Sequence, residues 1–200
     1  MSNPLFLQAC FTLNEVVEKH MHVWYNIFMA NNQAFIDAQN LYLGTTRAEN
    51  PWVLDMKRFR VYLAQKYHVQ KAYYFFGAYE ENQNELYDFI QECGYILRFR
   101  EHGAVMTSRK KGNVDTDIVF FIMKKLYKNV DFDNVILVSG DGDYKMLVSF
   151  LIDEGRFEKL LVPNRKRMSS LYKQIDTKYR DALDSPDKRI ILGYKKYGLA

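Results

Sequence analysis

Five aspartates stand where a carboxylate can do chemistry. Asp37 closes a short apolar run, Ala34-Phe35-Ile36-Asp37. Asp115 and Asp117 lie in Lys111-Gly112-Asn113-Val114-Asp115-Thr116-Asp117, at the opening of an amphipathic stretch. Asp141 and Asp143 lie in Val138-Ser139-Gly140-Asp141-Gly142-Asp143-Tyr144, between the most apolar run of the chain and another helical pattern. Aspartate is a favoured helix N-cap and suits the positive end of the helix dipole. Asp115 and Asp143, taken alone, read as caps. Asp37 ends an apolar run and precedes Ala38, so it is expected to be partly buried. Gly140 and Gly142 predict a sharp turn that presents Asp141. Carboxylates gathered in one cleft repel one another unless a cation neutralises them. Oxygen ligands without histidine or cysteine select Mg²⁺ or Mn²⁺. Such ions bridge phosphate oxygens and activate water, which makes a phosphodiester the expected substrate. Arg109, Lys110 and Lys111 neighbour Asp115 in sequence, with Arg98 and Arg100 upstream. A polyanion needs such cations, and a solvated basic face has the same composition. Two residues of helix turn through about 200°. Asp115 is therefore expected to face the cleft, with Asp117 joining it only if the helix starts late.

The elements that position these residues are legible from periodicity. Strands are predicted at 34–37, 69–77, 95–99, 134–139 and 160–162. Helices are predicted at 55–67, 81–93 (stopped by Gly94), 114–127 and 143–153. Thr45 to Pro51 reads as the main early loop. Continuous apolar strands alternating with helices imply a mainly parallel sheet covered on both faces, a three-layer α/β/α sandwich. Ligands of such sheets sit outside the carboxyl ends of the strands, where the five aspartates fall.

The three acidic segments, in this order and spacing, resemble the NYN domain, in the LabA-like branch of the PIN-like nuclease superfamily. Phe35-Ile36-Asp37-Ala38-Gln39-Asn40-Leu41 matches the family's hhhDxxN start. Lys111-Gly112-Asn113-Val114-Asp115 matches its KGxD helix start, and Ser139-Gly140-Asp141-Gly142-Asp143-Tyr144 its SGDxD[FY] signature. The likeness spans roughly residues 33–163. It implies a metal-dependent ribonuclease with a PIN-like fold. On the matching positions, Asp37, Asp115, Asp141 and Asp143 would be metal ligands or water-positioning groups. Asn40 would orient the first carboxylate or touch substrate, and Lys111 would contact phosphate. RNA is the implied partner, with DNA left open, and a homodimer is implied as well.

Other classes fit less well. His20, His22, His68 and His102 are scattered, and no pair has metal-ligand spacing. No G-x-S-x-G elbow and no phosphate-binding G-x-x-x-x-G-K-[ST] loop occurs. A haloacid-dehalogenase-type phosphohydrolase wants D-x-D directly after its first strand, whereas Asp141-Gly142-Asp143 follows a late one. A catalytically silent RNA-binding module on the same fold is the main alternative. Tyr73-Tyr74-Phe75-Phe76 reads as sheet core, and Tyr42 and Tyr144 as candidate base-stacking rings.

The chain has 200 residues and a formal charge of +4, unevenly spread: residues 156–200 carry 12 Lys/Arg against 5 Asp/Glu. We expect a helical extension over 1–30, the nuclease-like domain over 31–163, and a basic tail over 164–200 packed on or extending that domain. Cys10 and Cys93 have no metal-ligand spacing and fit a reducing compartment. With no signal-peptide pattern or membrane-length apolar run, the cytoplasm is the expected location.

Overall fold

The computed structural model describes residues 30–100 and 114–194. The expected helix near the N-terminus, and Arg109, Lys110 and Lys111, lie outside the described residues.

Six parallel strands form one sheet in the order β3-β2-β1-β4-β5-β6. They are β1 (Asn32–Asp37), β2 (Val69–Phe76), β3 (Ile96–Phe99), β4 (Val135–Val138), β5 (Phe157–Val162) and β6 (Arg180–Ala182). The helices are α1 (Ala38–Thr46), α2 (Met56–Tyr67), α3 (Asn84–Glu92), α4 (Val114–Tyr127), α5 (Lys145–Asp153) and α6 (Pro186–Leu192). β1 and β4 are buried along their whole length, as central parallel strands must be. Alternate residues of β1 feed opposite faces. Ala34 and Ile36 join Phe59, Leu63, Ile90 and Leu192 of α2, α3 and α6. Phe35 joins Ile118, Ile122, Leu147 and Leu151 of α4 and α5. The result is the expected three-layer α/β/α sandwich. Tyr73, Tyr74 and Phe75 are buried in β2, as sheet core.

Three features depart from the sequence reading. α1 occupies residues assigned partly to a loop and runs to Thr46. Its buried positions are Ala38, Leu41, Gly44 and Thr45. Their spacing is helical, but three of the four are too small to signal an apolar face. β5 is not the last strand: β6 pairs with it, Leu160 to Val162 lying opposite Arg180 to Ala182. Finally, much of the region beyond 163 is integrated into the core, with Tyr172, Leu183 and Leu192 fully buried.

Chain order doubles back between β1 and β4. After β1 the chain builds outward through β2 and β3; after β4 it builds the other way through β5 and β6. Neighbouring strands whose connections diverge leave a crevice at their carboxyl ends. Ile36 lies opposite Val138 in the register, so Asp37 and the Ser139-Gly140-Asp141 turn flank that crevice.

Candidate metal centre at the strand switch point

Asp37 leaves β1 and caps α1: its Oδ1 accepts the backbone N–H of Asn40 at 2.9 Å. Its Oδ2 accepts the Tyr144 hydroxyl at 3.2 Å. The residue is 6% exposed. Burial is the largest influence on its carboxyl group, and the charges of Asp115 and Asp141 add to it. Together they outweigh the two hydrogen bonds and push the pKa up to about 6.

Asp141 follows β4 and caps the short turn Gly142–Tyr144, accepting the Asp143 N–H at 3.2 Å. Its own N–H donates to Ser139 Oγ at 3.1 Å. The hydroxyl of Tyr172 donates to the Asp141 carbonyl oxygen, and Ser169 N–H donates to Gly140 O at 3.0 Å. Gly142 is needed here for space rather than for a left-handed backbone. A Cβ at Gly142 would stand 2.4 Å from Ser169 Oγ, and its φ is not positive. The caps among these aspartates are thus Asp37 and Asp141, not the Asp115 and Asp143 suggested by sequence alone.

Asp115 comes from the first turn of α4. One carboxylate oxygen each from Asp115, Asp141 and Asp143 lies within 4.8 Å of the others. Ligands ~2.1 Å from a small cation such as Mg²⁺ stand at most ~4.2 Å apart, close to this spread. The donor set is all oxygen, which suits a hard divalent ion. Asp37 borders the cluster through Tyr144, whose hydroxyl interacts with both Asp37 and Asp115. Burial first, and then those two charges, raise the Tyr144 pKa far above that of an ordinary phenol. Tyr144 is fully buried, so it is no stacking platform; it ties carboxylates together. Tyr42 is exposed.

Asp117 does not gather with the others. It lies 3.8 Å from Arg100, as the helical angle between it and Asp115 requires. Arg98 places its guanidinium 4.8 Å from the Phe121 ring centroid.

The carboxylates open into a cleft of about 500 Å³, lined by Asp37, Asn40, Asp115, Asp141, Asn164 and Arg167, among others. Asn164 is a site residue that the sequence reading missed, whereas Arg167 is expected from sequence only as one of the RNA contacts of the basic tail, with Arg165 and Lys166. Asn164 is buried and donates through Nδ2 to Gly44 O at 3.3 Å. Arg167 donates to Leu43 O at 3.3 Å. Both follow the carboxyl end of β5, and the strand-end rule applied to the basic run after Pro163 could have found them.

A parallel sheet with an acidic cluster at its switch point defines an α/β/α domain whose carboxylates could hold a metal ion. The NYN domain family matches residues 33–183, and the chain belongs to it. That family is part of the PIN-like nuclease superfamily. The fold is also similar to the crystal structure of a protein of unknown function from Vibrio parahaemolyticus, with a TM-score of 0.62 and 22% identity. The match covers 82% of this chain and 97% of that one. No curated protein matches the sequence. Among the described residues, no helix is long and apolar enough to cross a membrane.

Proposed function

We propose that the protein is a metal-dependent endoribonuclease that hydrolyses RNA phosphodiester bonds. The observation that carries this reading is the approach of Asp115, Asp141 and Asp143 carboxylates to within 4.8 Å of one another at the switch point. These three residues would hold Mg²⁺ or Mn²⁺, which when bound supplies neutralising charge, grips phosphate oxygens and makes water more acidic. Asp37 stands at the edge of the cluster with a pKa of about 6. Its carboxylate, held by the Asn40 N–H and the Tyr144 hydroxyl, is proposed as a further metal ligand or a water-positioning group. The Tyr144 hydroxyl orients its carboxylate. Asn40 positions the turn that carries Asp141 by accepting the Gly140 N–H at 2.8 Å. Arg167, at the cleft wall, offers a cation to the phosphate flanking the scissile one. Lys111, Lys110 and Arg109 are proposed to add further phosphate contacts.

The test is cleavage of a mixed-structure RNA and a matched single-stranded DNA with Mn²⁺, Mg²⁺ or EDTA, for wild type and Asp141→Asn. RNA cleavage that needs the metal and is lost in the variant is the expected result. RNA binding without turnover under either metal would favour the silent binding module. Cleavage surviving in Asp141→Asn would overturn the assignment of the centre.

A further inference from the structure

A second groove, of about 370 Å³, runs on from the acidic cleft and shares Asn164 and Arg167 with it. Besides Arg167, its walls carry the cations Arg47, Lys166 and Arg189, against the acids Glu49 and Asp184. Its volume lies within the range of small-ligand sites. Cations in excess suit a polyanion.

Two buried polar atoms in this wall go without a partner, Trp52 Nε1 and Asp184 Oδ1. Trp52 is 9% exposed. The other Asp184 oxygen is engaged, accepting the Arg165 N–H at 3.0 Å. Neither atom has accessible surface, and what identifies the ligand is the excess of cations together with the flat surface of the wall.

The groove also presents a flat surface. The Arg189 guanidinium lies 5.6 Å from the Trp52 ring centroid, and its Nη2 is held by Asn50 O at 3.0 Å. A guanidinium plane backed by an indole is a surface on which a base can stack. Lys166 is paired with Glu49 in an ion pair exposed on both sides. Such pairs contribute little, and a phosphate can take the place of Glu49.

We propose that this groove is a nucleotide subsite for single-stranded RNA, holding a nucleoside beside the scissile phosphate on the Arg189–Trp52 surface and its phosphate on Lys166. The proposal rests on the reading of the acidic cleft as the place of hydrolysis.

Binding is measured in EDTA by fluorescence anisotropy of a labelled single-stranded RNA decamer. Arg189→Ala is expected to weaken binding about tenfold, and Lys166→Ala to reduce the salt slope by about one. Glu49→Gln is expected to tighten binding. Wild-type binding by both Arg189→Ala and Lys166→Ala would overturn the subsite altogether. Turnover separates the two readings. With Mn²⁺, Arg189→Ala should lower kcat/KM on the decamer about tenfold, and by a smaller factor on bis(p-nitrophenyl) phosphate, which carries no second phosphate for Lys166. Absence of turnover on both substrates in wild type would count against the hydrolytic reading, and the anisotropy data would still decide the groove.

Discussion

Asn40 Oδ1 accepts the backbone N–H of Gly140 at 2.8 Å, across 100 residues of sequence. The same residue donates its own N–H to Asp37. One residue, through its backbone N–H and its side-chain oxygen, therefore ties both lips of the crevice. Asn40→Ala would leave the part-buried Gly140 N–H without this acceptor. The expected loss is about 1–3 kcal/mol of unfolding free energy, read by urea denaturation. A variant as stable as wild type would show that the bridge contributes nothing.

Asp37 gives a signed pH dependence. Its folded pKa of about 6 lies above the ordinary value of 3.8. Between those values the folded protein keeps a proton that the unfolded chain has released. The stabilisation is fully present below pH ~4 and is lost as pH rises through ~6, up to about 3 kcal/mol in all. Thermal unfolding in EDTA between pH 4 and 7.5 should show wild type losing stability relative to Asp37→Asn. Parallel curves for the two proteins would contradict the shift.

Gly142 tests the packing behind the acidic turn. Gly142→Ala puts a methyl group against Ser169, whose Oγ would be 2.4 Å and whose Cβ 3.0 Å away. Overpacking of this kind costs about 1–3 kcal/mol. Adding Ser169→Gly should restore part of that, giving a coupling energy in a double-mutant cycle. Strict additivity of the two changes would argue that the clash is relieved elsewhere.

On the far side of the sheet, the Asp181 carboxylate accepts from Lys188, from Lys66 at 3.3 Å and from Tyr67 at 3.1 Å. It thus joins β6 to α2 and α6. Asp181→Ala would leave Lys188, whose side chain is 14% exposed, without its carboxylate partner. We expect a loss of about 1–3 kcal/mol, partly recovered by Lys188→Met. Metal-dependent RNA cleavage at a temperature where the variant is folded should be unaltered. A selective loss of cleavage would mean that this network reaches the acidic centre.

The legible parts were those whose signal is local. β1 and β4 show as apolar runs, and α4 shows its period so clearly that its expected span coincides with Val114–Tyr127. Asp37 and Asp141 stand out because each follows such a run. β6 carries no comparable signal: Arg180-Asp181-Ala182 is an edge strand recruited by its pairing with β5. Tyr172, Leu183 and Leu192 are buried by contacts distant in sequence, and no period links them. Tyr144 was legible as a neighbour of the acids but not as their tether. Whether a ring faces solvent or carboxylate depends on the packing of α4 and β1 around it. Asn164 was hidden, and Arg167 was legible only as a cation of a basic tail, because the strand preceding their run had to be placed at the cleft first.

The segment after β5 has a consequence for how the centre can be disturbed or watched. Ser169 N–H binds Gly140 O and the Tyr172 hydroxyl binds Asp141 O. The acidic turn is thereby held from behind by residues that carry no charge and lie outside the three acidic motifs. A proteolytic nick near residue 170 is expected to release the acidic turn while every carboxylate remains in the chain. Conversely, slowed amide exchange at Ser169 on adding Mg²⁺ would register occupancy of the cluster from a residue outside the three acidic motifs.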